Sequence, residues 1–172
     1  MNNVPKKDFK EKLLAQIDQL NKDPNFHEYY DEMIIHYKYS VGELSKFFVE
    51  IRDNAKLFGT KCTKCGFGYF PPRLYCNKCY TKCEWTELSG KGEIIAGTIA
   101  HFGVSAFTDK VPISIAFIKM DGMDMAIRHT IVMDEADYKI ENMKKGTRVK
   151  VQFKPKEKRE GKITDFYFVL DK

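Results

Sequence analysis

Two cysteine pairs, Cys62-x-x-Cys65 and Cys76-x-x-Cys79, stand ten residues apart and carry the most specific chemistry in the chain. A Cys-x-x-Cys unit turns tightly enough to aim two sulfurs at one point. Two such units complete the tetrahedral four-sulfur site of structural zinc, with Zn–S distances of about 2.3 Å. All four positions would belong to the protein, which leaves none for water or substrate. The expected role is structural, and the motif argues against metal-dependent hydrolysis. Iron would accept the same thiolates; zinc is the expectation on ligand type and availability. Disulfides would instead require an oxidising compartment. The N-terminal stretch MNNVPKKDFKEKLL has no apolar core of a secretory signal, and no apolar run approaches the roughly 20 residues of a membrane span. The chain is therefore expected to be cytoplasmic, with no membrane partner.

The remaining reactive residues form no recognisable constellation. His27, His36, His101 and His129 show no nucleophile–base spacing, and there is no phosphate loop or paired-carboxylate motif. Cys83 breaks the paired spacing and reads as a bystander to the metal ligands. A catalytic reading would make it a nucleophile, but Lys82 would lower its pKa while Glu84 would raise it, and no base is identifiable. Gly66, directly after the second cysteine, suits a knuckle that needs a residue tolerant of positive φ.

Charge is concentrated around the cysteines. The 172 residues carry a net charge of +5. Residues 61–84 hold five Lys/Arg (Lys61, Lys64, Arg73, Lys78 and Lys82) against one acid, whereas residues 1–60 hold nine against ten. An anionic partner for this module follows from that distribution. A second basic stretch, Lys144 to Lys162, is diluted by Glu157 and Glu160 and reads as solvated surface.

The elements that must position these residues fall into three regions: 1–59, 60–84 and 85–172. In the first, Asp8-x-x-Glu11 opens a helix with Phe9, Leu13, Leu14, Ile17 and Leu20 on one face, broken at Asn21 to Pro24. A second helical segment spans about 26–38. Ser40-x-x-Glu43 reads as a capping box for a third, with Leu44, Phe47, Phe48, Ile51 and Ala55 at helical spacing and Gly59 ending it. Three such helices bury little against so small a module, so part of their aromatic surface is expected to face another protein. In the metal module, Phe67, Tyr69 and Phe70 read as a small core, beside a Pro71-Pro72 pair that enforces extended backbone. The third region predicts five strands: Glu93 to Phe102, a run with Val111, Ile113, Ile115 and Phe117 on one face, Met123 to Met133, Val149 to Phe153, and Ile163 to Leu170. A short helix is expected within 134–146. Five short strands with that interruption suggest a Greek-key barrel of OB type.

The flanking residues sharpen the reading. Lys56-Leu57-Phe58-Gly59-Thr60 before the first cysteine, Tyr69-Phe70-Pro71-Pro72-Arg73, Cys76-Asn77-Lys78-Cys79 and Trp85-Thr86-Glu87-Leu88-Ser89-Gly90-Lys91-Gly92 together resemble the DUF35 family, from about Leu44 to the C-terminus. That resemblance implies an α+β chain: N-terminal helices, a rubredoxin-like zinc ribbon and a C-terminal five-stranded OB-fold barrel. Residues 1–43 exceed the family core, and Cys83 is no part of its ligand pattern. Family members typically accompany thiolases and other enzymes acting on acyl-CoA thioesters and lack a catalytic centre of their own, and some of them stabilise the partner and help shape its CoA channel. The resemblance thus implies a hetero-oligomer with a thiolase-like or related acyl-CoA enzyme. In it, Arg73 and Lys78, then Lys61 and Lys64, are the candidates for the phosphates of CoA.

The alternative is a single-stranded nucleic-acid-binding zinc-ribbon/OB protein. Phe166, Tyr167 and Phe168 are consecutive, so they divide between two strand faces and make no stacking platform. The isoelectric point of about 8.8 also falls short of the value above 9 expected for a nucleic-acid domain.

Overall fold

The computed structural model describes residues 35–102 and 111–172, together with Glu11, Ala15 and Met33. The chain divides into two compact units, Met1–Lys38 and Tyr39–Lys172. Within the first, Glu11 and Ala15 are helical, while the rest of the helix expected from Phe9 to Leu20 lies outside the described residues. The second expected helix, 26–38, is corrected at its end: Met33 and residues 35–38 are not helical.

Among the described residues of the second unit, the one α-helix, α1 (Ser45–Asn54), follows a 3-10 turn at Gly42–Leu44. The expected capping box does not form. Gly42 takes a left-handed φ of 60° and uses its N–H on Ser40 Oγ at 3.1 Å, so the helix starts later. Glu43 instead reaches Lys82 at 2.8 Å. Gly59 does not end the helix either. Ala55 does, at φ 53°, with the Lys56 N–H closing onto the Glu50 carbonyl at 3.2 Å. The apolar stripe behaves as read, since Phe47 and Ile51 are buried.

Three strands form the ribbon sheet: β1 (Phe58–Cys62), β2 (Gly68–Tyr69) and β3 (Cys83–Glu87), antiparallel in the order β2-β1-β3. The sheet runs past the 60–84 interval at both ends. Five more strands close a barrel in the order β4-β5-β6-β8-β7, with β6 and β8 parallel and the other pairs antiparallel. They are β4 (Lys91–Ala100), β5 (Ile113–Met120), β6 (Ala126–Ile131), β7 (Arg148–Phe153) and β8 (Phe166–Leu170). This is the OB-type barrel expected. The helix expected within 134–146 is two 3-10 turns, Glu135–Asp137 and Ile140–Met143.

Ile115 and Phe117 share one face of β5, as expected, and that face is the outer one. On β5 the buried residues are Ser114, Ala116, Ile118 and Met120, whereas Ile115 and Phe117 point outward, Phe117 at 50% exposure. A Cβ on Gly97 would lie 2.8 Å from Met143 Cε and 3.2 Å from Ala116 Cβ, so the inward position opposite it, Ala116, must be small. Phe166 and Phe168 are buried in the barrel, which leaves Tyr167 as the outward ring of that triplet.

Ribbon, helix and barrel share one core. Phe70 of the ribbon packs with Phe47 and Ile51 of α1 and with barrel residues, its ring 6.0 Å from that of Phe47. The β5–β6 turn docks on the ribbon, where Met123 occupies space that side chains at residues 59 and 68 would fill. A Cβ on Gly59 would meet Met123 Sδ at 2.9 Å, and one on Gly68 would meet it at 3.0 Å. Asp124 Oδ2 accepts the Gly68 N–H at 2.7 Å, and the Asp124 N–H returns to the Gly68 carbonyl at 3.0 Å.

The segment before β8 is fixed by Asp165, a buried carboxylate that accepts the N–H groups of Glu160 at 2.7 Å and Lys162 at 2.8 Å. Burial pushes its pKa up, but these backbone donors and the Lys154 ammonium outweigh burial and hold it below the ordinary carboxylate value. Above pH ~4, the unfolded value, this carboxylate stabilises the fold; that contribution is lost as pH falls through the lower folded value. Asp165→Asn is therefore expected to cost about 2 kcal/mol at pH 7 in urea unfolding. The two proteins should converge as pH falls through that lower folded value and the carboxylate protonates. A gap that does not narrow on acidification contradicts this account.

Candidate metal centre and the ribbon face

Two knuckles bring the cysteines together. The first is the turn after β1, where the Gly66 N–H donates to the Cys62 carbonyl at 2.9 Å. The second repeats it, with the Tyr80 N–H on the Cys76 carbonyl at 2.9 Å. The sulfurs of Cys62, Cys65, Cys76 and Cys79 all lie within 4.8 Å of one another. Cys65 Sγ and Cys76 Sγ are 3.8 Å apart. A tetrahedron with Zn–S bonds of about 2.3 Å has edges of about 3.8 Å, so the spacing fits a four-coordinate ion.

The surrounding donors favour thiolates. Cys62 Sγ receives the N–H groups of Lys64 and Cys65, and Cys76 Sγ those of Lys78 and Cys79, each at 3.4 Å. The Thr81 hydroxyl lies 3.3 Å from Cys62 Sγ, and with the backbone donors it lowers that thiol to about 6. The Tyr69 hydroxyl donates its one proton between Asn77 Oδ1 at 2.6 Å and Cys76 Sγ at 3.3 Å; its bond to the sulfur lowers the Cys76 pKa and raises the tyrosine to about 12. Crowding has the opposite effect on the last ligand. Hydrogen bonding to Cys65, burial and the neighbouring sulfurs push Cys79 up to about 12. Four thiolates cannot share this volume without a cation among them, and a divalent ion supplies it.

Cys83 lies outside the four. It pairs with Cys62 across β1 and β3, is buried, and burial pushes its thiol up. That is the environment of an inert thiol and not of a nucleophile. His129 stacks on Phe166 with centroids 4.7 Å apart, and its Nε2 lies 3.0 Å from the Ile163 carbonyl oxygen. It is occupied in packing.

The basic residues divide. Arg73 and Lys78 flank a pair of rings, Phe67 and Tyr69, whose centroids are 5.0 Å apart. The Arg73 guanidinium lies over Tyr69 at 5.9 Å and Lys78 Nζ over Phe67 at 4.2 Å. Arg73 is held by its backbone, which donates to and accepts from Thr60 Oγ1 at 2.9 and 2.8 Å. Lys64 is exposed on the first knuckle. Lys61 points elsewhere, with Nζ beside Gly122 of the β5–β6 turn. Among the described residues, none of these four cations has a carboxylate within 4.0 Å, whereas Lys82 is paired with Glu43. The polar roles of Tyr69, Thr60 and Thr81 were not legible in advance. Aligning the two knuckles, Cys-Thr-Lys-Cys-Gly with Cys-Asn-Lys-Cys-Tyr, would have singled out Tyr80.

Comparisons with known proteins agree with this geometry. Residues 50–86 match the family model described as the ChsH2 rubredoxin-like zinc ribbon domain. A "DUF35 domain-containing scaffold protein" of Methanocaldococcus jannaschii is 37% identical over 73 residues, 41% of this chain and 52% of the relative. One of the same description from Methanothermobacter thermautotrophicus is 34% identical over 67 residues, 38% of this chain and 50% of the relative. The chain thus spans about half the length of the curated relatives it matches. Among solved structures, a DUF35 protein of unknown function from Sulfolobus solfataricus aligns at TM-score 0.55 and 22% identity, over 76% of this chain and 87% of that one. An Ltp2–ChsH2 (DUF35) aldolase aligns at TM-score 0.53 and 16% identity, over 77% and 96%. At these identities the structural matches speak for the fold. Among the described residues, no helix is long and apolar enough to cross a membrane.

Cys76→Ser is expected to abolish stoichiometric metal in the purified protein, measured by elemental analysis. Tyr69→Phe should keep the metal but weaken it about 10–100-fold against a competing chelator, the usual effect of removing a hydrogen bond to a ligand. Unchanged affinity would show that the Tyr69 hydroxyl does not support the site.

Proposed function

We propose that the chain is a member of the DUF35 family and, from that premise, that it is a non-catalytic accessory subunit of an acyl-CoA enzyme of the thiolase type, stabilising that partner and helping to hold its CoA thioester. The observation that carries the reading is the ribbon face. Arg73 and Lys78 are seated on adjoining aromatic rings and exposed, with no carboxylate partner among the described residues. They stand beside a metal site whose four protein ligands leave no position for substrate. Such cations suit a polyanion such as the phosphates of CoA. The scaffold designation of the curated relatives supports an accessory role, and the aldolase complex among the structural neighbours supports a partner enzyme. Lys64 joins this face in the proposal, and Lys61 would act from the side of the Gly122 turn. In this reading the metal is zinc, holds the ribbon together and takes no part in the partner's chemistry.

The test begins with the tagged full chain in its own cells, with the co-purified enzyme identified by mass spectrometry. In the reconstituted complex, Arg73→Ala and Lys78→Ala are each expected to raise KM for the CoA thioester roughly threefold to tenfold with kcat little changed, the signature of lost substrate binding. An unaltered KM in the double variant would remove the phosphate contact from the proposal.

A further inference from the structure

The two knuckles share a backbone plan but not the residue that it calls for. In both, the residue after the second cysteine takes a left-handed conformation, Gly66 at φ 71° and Tyr80 at φ 56°. The flanking hydrogen bonds also repeat, with the Cys62 N–H on the Phe67 carbonyl at 3.0 Å and the Cys76 N–H on the Thr81 carbonyl at 2.9 Å. Glycine takes this conformation freely, whereas a bulky aromatic residue is strained in it. Packing does not explain the choice. Tyr80 is 83% exposed, and among the described residues its ring meets no other aromatic ring and its hydroxyl has no hydrogen-bond partner. Ala55, the other described non-glycine residue with positive φ, closes a helix and carries only a methyl group.

Strain kept at a position where glycine would serve, with the side chain turned to solvent, points to a use for that side chain outside the chain itself. A ring this exposed encloses no small molecule but can enter a socket on another surface. Its surroundings fit a protein surface. Tyr75, 58% exposed, stands on the stem opposite Lys82, and Lys78 lies two residues before Tyr80. The whole module carries five basic residues against one acid. Tyrosine with neighbouring cations is the composition of an interface anchor, and charge complementarity calls for carboxylates opposite. We infer that Tyr80 anchors the second knuckle in an apolar socket, rimmed by carboxylates, on the partner enzyme. This inference rests on the accessory-subunit reading above.

Tyr80→Gly separates binding from folding, because glycine suits the backbone better than tyrosine does. Its zinc-loaded full chain is expected to melt at or above the wild-type temperature. Its Kd for the enzyme recovered with the wild-type chain, measured by calorimetry on purified proteins, should rise at least about tenfold. Tyr80→Phe, which keeps the ring, should bind within about threefold of wild type. Binding of Tyr80→Gly within twofold of wild type overturns the anchor, and so does a lower melting temperature, which would make Tyr80 structural. A raised KM for the CoA thioester with unchanged Kd also overturns it and assigns the ring to the thioester. If the wild-type chain recovers no acyl-CoA enzyme, the accessory-subunit reading falls and the anchor with it. If it recovers one that Tyr80→Gly binds equally, the anchor alone falls.

Discussion

Four sulfurs held within 4.8 Å of one another cannot all carry charge unless a cation sits among them, and the ribbon depends on that constraint. Apart from the cysteines, the one fully buried side chain of its own cluster is Tyr69, and one of its strands is two residues long. So small an assembly does not stabilise itself by apolar burial alone. The fold lets some thiols ionise easily, through amide and hydroxyl donors at Cys62 and Cys76, and leaves Cys79 to be ionised by the ion itself. A metal bound by these four sulfurs would therefore stabilise the folded ribbon.

The same constraint reaches the barrel. Gly59 and Gly68 lie on neighbouring strands that the metal-tied turns hold in register, and Met123 fits only because both lack a side chain. The exchange of hydrogen bonds between Gly68 and Asp124 then fixes the β5–β6 turn on the ribbon, while Phe70 enters the core shared by α1 and the barrel. Ribbon and barrel are accordingly one body, joined by backbone proximity and a shared core. The exposed ribbon face inherits a defined position relative to the barrel.

Much of this was legible because it depends on residue type at fixed spacing. The cysteine pairs, the strand periodicity of the third region and the apolar stripe of α1 are of that kind. What escaped depends on what sits across the chain. The β5 stripe of Ile113, Ile115 and Phe117 is as apolar as the one that is buried, so residue type alone does not say which face turns inward. Gly59 looks like a helix stop in sequence, yet its lack of a side chain serves the approach of Met123. Ala55 ends the helix in a conformation its residue type does not advertise. Tyr69 reads as a core aromatic, and its hydroxyl became part of the metal site only through the fold.

The features that point outward are consistent with a chain that works by contact. Arg73 and Lys78 are held on the rings of Phe67 and Tyr69, which the ribbon itself positions, so they lose less freedom on meeting an anion than lysines free in solvent would. Tyr80 is held in the same way by the turn of the second knuckle. Its left-handed backbone is imposed by the bond from its N–H to the Cys76 carbonyl, within a turn closed by two metal ligands. A metal with no open coordination position would therefore still bear on what the ribbon exposes, because two of its ligands close the knuckle that carries Lys78 and Tyr80.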